Sequence, residues 1–252
     1  MVLAAGKGER LRPLTDTIPK ALVPVAGRPM IEYPLLLLRH YGIREIIINL
    51  HHLGEQIEAY LADGASLGLN IIYSKEQELL DTGGGLLKAK PFLQDEAFIV
   101  INTDVLIDLS LAELIAFHEQ KKAAATLVLR PDALADQYGS MEINSEGRVD
   151  RFLQVRRPGA SSTAGTKLMF TGVQILEPRT FEFMPNDRAV HKFSTTKHTY
   201  PRMLLQEEKL YGFRFDGWWQ DLGTVDRIQQ AEAILAGSRL HYLSSTGPHN
   251  FG

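Results

Sequence analysis

Apolar runs alternate with stretches of helical period over the first half of the chain. Met30 to Tyr41 carries apolar residues at helical spacing, whereas Glu45 to Asn49 is a short β-branched run, the pattern of a buried strand. The alternation continues with a helix at Gly54 to Leu61, a strand at Asn70 to Ser74, a helix at Gly84 to Lys90 and a strand at Ala97 to Asn102. A helix at Leu111 to Gln120 and a strand at Ala124 to Leu129 follow. Such βα repetition with short connections predicts an α/β fold whose parallel sheet is covered on both faces. Leu35 to Leu38 then reads as the buried face of its helix, and Pro34 falls close to the first turn, where a missing N–H costs little. After about Arg130 the pattern changes to shorter strands at Gly139 to Ile143, Val149 to Gln154 and Leu168 to Leu176, with a hairpin turn at Asn144-Ser145-Glu146-Gly147. A helix at Val225 to Leu235 closes the pattern. The tail from Gly237 to Gly252 reads as weakly ordered.

Composition narrows the class. With 252 residues and 44% hydrophobic content the chain can bury one large core. A balance of 27 basic against 30 acidic residues leaves a net charge of −3, so no global basic field exists to hold nucleic acid. Zero cysteines exclude disulfides and thiolate metal sites and fit a reducing compartment. No apolar run reaches the roughly 20 residues that span a bilayer, and the expectation is a cytoplasmic protein without a membrane partner. Only Val2 to Ala5 can form the first strand, short of the usual five or six residues or so. That predicts either a clipped strand or a start inside the true gene.

The densest chemistry lies at the front, in Leu3-Ala4-Ala5-Gly6-Lys7-Gly8-Glu9-Arg10-Leu11-Arg12-Pro13-Leu14-Thr15, followed by Pro19-Lys20. Gly6 and Gly8 let the backbone approach an anion and aim N–H groups at it, while Arg10 and Lys20 supply charge; the combination is suited to phosphates. A Walker loop would need Ser or Thr after Gly-Lys, and a dinucleotide fingerprint would need glycine where Leu11 stands. A second signal is Ile99-Val100-Ile101-Asn102-Thr103-Asp104, a buried strand ending in a carboxylate. Ligands in open α/β sheets sit beyond such strand ends, although a turn-capping Asp fits the residues equally well. Asp108 reads as a turn or cap residue ahead of Leu111. His51-His52 lacks a ligand partner at helical spacing and reads as an exposed loop.

The run from Gly6 to Thr15 with Pro19-Lys20 resembles the signature of the sugar-1-phosphate nucleotidylyltransferases, among them mannose-1-phosphate guanylyltransferases and N-acetylmuramate-1-phosphate uridylyltransferases. The resemblance implies a Rossmann-like fold with a mixed, mainly parallel sheet and a small β-rich sugar-binding insertion. A nucleotide half over about 1–130 and a sugar half over about 131–236 would form one domain, followed by the tail. The implied partners are a nucleoside triphosphate and a sugar 1-phosphate, with homo-oligomerisation left open. The implied cofactor is Mg²⁺, held by Asp104 and by Asp221 of Trp218-Trp219-Gln220-Asp221-Leu222-Gly223-Thr224. Thr103 stands where the family usually has glycine. Ala4, Gly6, Lys7 and Gly8 would bind the nucleotide. In Glu76 to Gly85, Glu78 would read the base edge beside Thr82 and Gly83, which leaves GTP and UTP both open. Arg10 would offset charge on the leaving pyrophosphate and Lys20 would orient a phosphate.

On the sugar side Tyr138-Gly139 and Phe170-Thr171-Gly172-Val173 match positions where the family contacts sugar. Its Glu-Lys-Pro is replaced by Val155-Arg156-Arg157-Pro158, so Arg156 or Arg157 would hold the phosphate. Two other readings stay open. One is a phosphocholine-type cytidylyltransferase, for which Trp218 and Trp219 would help to cage a quaternary ammonium. The other is a non-catalytic regulatory subunit that binds sugar nucleotide, against which Arg10, Lys20, Asp104 and Asp221 stand together.

Overall fold

The computed structural model describes residues 1–132, 135, 140–160, 167–185, 191–237 and 240–243. In the first half the chain runs β1 (Val2–Leu3), α1 (Glu32–His40), β2 (Glu45–Leu50), α2 (Gly54–Leu61), β3 (Asn70–Lys75), α3 (Asp81–Ala89), β4 (Phe98–Asn102), β5 (Val105–Ile107), α4 (Leu111–Lys121) and β6 (Ala125–Pro131). The second half adds β7 (Met141–Ile143), β8 (Val149–Phe152), β9 (Val155–Arg156), β10 (Lys167–Leu176), α5 (Tyr200–Leu205), β11 (Leu210–Arg214), β12 (Trp219–Asp221) and α6 (Val225–Gly237).

One mixed sheet carries ten of these strands in the order β9-β8-β7-β10-β4-β1-β2-β3, with β6 and β11 joined through β10. The pairs among β4, β1, β2 and β3 are parallel, as the βα repetition predicts. β10 runs antiparallel to β4, β6 and β7, and β7 to β9 form an antiparallel meander; this is the β-rich half. Val2 registers with Ile48 on one side and Ile101 on the other, so β1 lies at the centre although it has only two residues.

Alternation along the strands explains the core. Ile46, Ile48, Ile99 and Ile101 face one apolar layer with α1, while Ile47, Val100, Leu127 and Leu129 face the other. Strands covered on both sides need apolar residues at every position, which is why they read as continuous runs. Leu35 to Leu38 are all buried, and replacing any one by Ala would leave a cavity at a cost of about 2–5 kcal/mol.

Three local expectations change. Ser110, not Asp108, caps α4 by accepting from the N–H of Glu113, and Asp108 instead holds His241 through its backbone N–H and ring Nδ1. Leu240 and Tyr242, assigned to a weakly ordered tail, are buried against α1 and the core because their apolar surface has a site to cover. His51 and His52 are half-buried, each meeting a backbone carbonyl, of Glu76 and Thr15 respectively.

Candidate active site

The loops that follow the carboxyl ends of β1, β2 and β4 converge on one cleft. Gly8 takes φ +66°, a Cβ there would meet Lys20 Cβ and Thr15 Cγ2 at 2.9 Å, and the Thr15 hydroxyl donates to its carbonyl at 2.8 Å, so the position suits glycine on both counts. This fixes the loop so that Gly6 lies open, with no heavy atom within 4 Å of an ideal Cβ. Ala4 and Gly6 line a cavity of about 230 Å³ together with Lys20, Thr82 and Asp104. Lys7 is exposed on the same loop, and Gly8 supports it from outside the lining.

Asn49 and Asn102, polar residues at the ends of buried strands, also line this cavity. The Asn49 side chain accepts from the Ala4 N–H at 2.9 Å and donates to buried Glu76 at 2.8 Å, and Glu76 in turn accepts from the Leu80 N–H at 3.0 Å. One chain of hydrogen bonds thus ties the glycine loop to the segment before α3. The sequence signal for Asn49 was the same as for Asp104, a polar residue closing an apolar strand.

Asp104 sits where two cavities meet, since it and Asn102 line both this first cavity and a second one of about 340 Å³. The Lys20 ammonium pairs with Asp104 Oδ2. Thr103, in the place of glycine, donates its hydroxyl to the Leu3 carbonyl at 2.8 Å and fastens the end of β4 to β1. β5 pairs antiparallel with β12, placing Asp221 opposite Val105, and the Leu222 N–H donates to the Asp104 carbonyl at 2.8 Å. Asp221 therefore lies beside Asp104, with its Oδ1 held by the Gly223 N–H at 2.5 Å and Arg227 Nη1 at 3.0 Å. Gly223 also makes room for Arg10, whose Nη2 lies 2.4 Å from where a Cβ would be.

The second cavity includes Thr171 and Gly172. Gly172, at φ +89°, packs on Asn102 at a register shift in β10, while buried Thr171 donates its hydroxyl to the Val128 carbonyl and its own backbone carbonyl accepts from the Trp219 indole N–H. Trp219 is further covered by the Arg130 guanidinium, 5.1 Å from the ring centroid, and Trp218 packs on the core, so the two tryptophans do not form an open cage.

Several expected contacts fall elsewhere. Arg156 pairs with Glu142 at 2.8 Å, sharing that buried carboxylate with Arg151, and Arg157 pairs with Asp150 at 2.6 Å; neither arginine lines the cavity. A buried carboxylate draws these guanidiniums because leaving it unpaired would be costly. Glu78 is exposed and pairs with His191 at 2.7 Å, while Leu79, Asp81 and Thr82 line the first cavity. The start of α3 is not free either: Gly83 and Gly84 donate to the Phe193 carbonyl at 2.8 and 3.2 Å, and Phe193 N–H donates to Leu80. Gly83 and Gly84 admit Phe193 and His191 at close range, and Gly85 admits Glu76 and Asn49. Tyr138 and Gly139 lie outside the described residues. Lys197 and Arg227, which the sequence reading did not single out, line the second cavity. A further cavity, about 1010 Å³, opens at the amino ends of β1, β2 and β4, away from all of these residues.

The chain belongs to the nucleotidyl transferase family, whose model matches residues 1–238. It is similar to the UTP–glucose-1-phosphate uridylyltransferase of Synechocystis sp., 33% identical over 244 residues that cover 92% of this chain and 61% of that protein. It is also similar to the N-acetylmuramate alpha-1-phosphate uridylyltransferase of Neisseria meningitidis, 37% identical over 243 residues, 94% of this chain and 98% of that protein. The chain thus spans under two thirds of the first relative and almost all of the second. Among solved structures, a Bacillus anthracis protein crystallised with sucrose shares the fold, with a TM-score of 0.77 at 22% identity over 92% of this chain and 93% of that one.

Proposed function

We propose that this chain transfers a nucleoside monophosphate from UTP or GTP to a sugar 1-phosphate, giving a sugar nucleotide and pyrophosphate. The observation that carries the reading is the position of Asp104 and Asn102 at the junction of two cavities, one bounded by the glycine loop and one by β10 and β12. A phosphate oxygen of the sugar substrate attacks the α-phosphorus, and the bond to the bridging oxygen of pyrophosphate breaks. No protein nucleophile is required, because positioning and charge neutralisation carry most phosphoryl transfer.

Asp104 and Asp221 suit a magnesium ion. Each has one oxygen held, by Lys20 on one side and by Gly223 and Arg227 on the other, and the second oxygen of each has no partner among the described residues. Magnesium is bound through one or two carboxylates and keeps waters and substrate phosphates as its other ligands. When bound, it supplies charge neutralisation at the reacting phosphate. The Gly6 to Gly8 backbone approaches the triphosphate, Lys20 holds a phosphate beside Asp104, and Arg10 balances charge on the departing pyrophosphate.

The names of both relatives above favour UTP. GTP is retained because Asp81, which lines the cavity, can accept from the N–H groups of guanine as well as of uracil. The test is pyrophosphate release from UTP, GTP, ATP, CTP and dTTP against a panel of sugar 1-phosphates and phosphocholine. Release with UTP or GTP and one sugar phosphate is expected; release with no pair, or with CTP and phosphocholine alone, would overturn the proposal.

A further inference from the structure

We infer that Arg227 grips the phosphate of the incoming sugar 1-phosphate. The inference rests on the activity proposed above and names the residue that confers selectivity for a phosphorylated sugar.

The attacking substrate brings a phosphate with up to two negative charges into a cavity that already contains Asp104, Asp132 and Asp221. Such an anion needs a cation on the protein side. Among the described residues lining this cavity, the cations are Lys197 and Arg227. Arg156 and Arg157 lie outside the lining.

Arg227 is the better placed of the two. It sits in the first turn of α6, its backbone N–H 3.4 Å from Thr224 Oγ1, with Nη1 3.0 Å from Asp221 Oδ1. That puts its guanidinium next to the carboxylate adjoining Asp104, where the reacting phosphates must gather. Lys197 comes from the turn Thr195–Thr199 and is exposed. A guanidinium forks onto a phosphate through two parallel N–H donors, which positions the group as well as attracting it. Phe152 and Met169 give the same cavity an apolar wall for a sugar ring.

Arg227→Gln, Arg227→Lys and Lys197→Gln are compared with the wild type, using whichever of glucose 1-phosphate, mannose 1-phosphate and N-acetylmuramate 1-phosphate the wild type turns over. Arg227→Gln should raise the KM for that sugar phosphate about 10- to 100-fold, the scale of one charge-assisted contact, and leave the KM for nucleotide unchanged. Arg227→Lys should fall between, since it keeps the charge and loses the fork. Calorimetric titration of the sugar phosphate in the presence of a non-hydrolysable triphosphate should show the same loss of affinity. If Arg227 only steadies Asp221, kcat and Mn²⁺ affinity will fall while sugar-phosphate affinity stays put, and the inference is wrong; a loss confined to Lys197→Gln would overturn it too. No turnover by the wild type with any pair would defeat the proposed activity and this assignment together. Far-UV circular dichroism separates these outcomes from unfolding, and Arg227→Lys retains the fold if Arg227→Gln does not.

Discussion

The backbone N–H of Leu222 donates to the carbonyl of Asp104 at 2.8 Å. This contact, with the antiparallel pairing of β5 and β12, makes neighbours of two carboxylates that are far apart in sequence. A divalent cation between them would be bound by side chains that the sheet edge has already aligned, which lowers the ordering cost of the site.

Asp104→Asn tests that arrangement. The amide keeps the shape and loses the charge, so turnover should fall by about 10³-fold or more, and Mn²⁺ binding followed by electron paramagnetic resonance should weaken with it. The Lys20–Asp104 pair is largely buried, with 14% of the Lys20 side chain exposed, so loss of the Asp104 charge should also lower thermal stability, and far-UV circular dichroism separates that loss from unfolding. Undiminished Mn²⁺ binding would remove Asp104 from the metal site.

Arg10→Ala should lower kcat by about 10²–10³-fold and move the nucleotide KM much less, because its contact strengthens as charge builds on the leaving pyrophosphate. Steady-state kinetics decide between this and a plain binding role, in which KM alone would change.

Gly84→Ala should loosen the segment at residues 191–195. A Cβ at Gly84 would lie 2.1 Å from the His191 carbonyl, a backbone atom that moves only with its whole segment. The expected loss is about 1–3 kcal/mol, measured as a lower urea midpoint. An unchanged midpoint would mean that the segment is not clamped on α3.

His118 predicts an acid-side loss of stability. It is buried, 2.8 Å from Thr126 Oγ1 and 3.3 Å from Glu177, and burial pushes its pKa below the ordinary 6.5 despite the opposing pull of Glu177. As pH falls below 6.5 the unfolded chain takes up a proton that the folded chain resists, so stability drops. The urea midpoint should be lower at about pH 5.5 than at about pH 7.5, and His118→Gln should flatten the difference. Equal slopes for the two proteins would assign the pH dependence to other groups.

How much was legible in the sequence varies with how local the cause is. The helix at Gly54–Leu61 and the strands around Ile47, Ile99 and Leu127 were readable because period and burial act over neighbouring residues. The anion loop was readable for the same reason: Gly6, Gly8, Arg10 and Lys20 lie within one short stretch, and glycine at +66° is a property of the backbone itself. Tertiary structure alone decided which charges were already spent. Arg156 looks like a ligand residue in a linear reading, yet buried Glu142, in another strand, takes up its charge, and Glu78 lies beside His191, far along the chain. It also decided that Gly83 and Gly84 of α3 face Phe193 and His191, and that Arg227 shares a cavity with Asp104. The physical reason is that ion pairing and close packing depend on distance in space, which a sequence determines only through the whole fold.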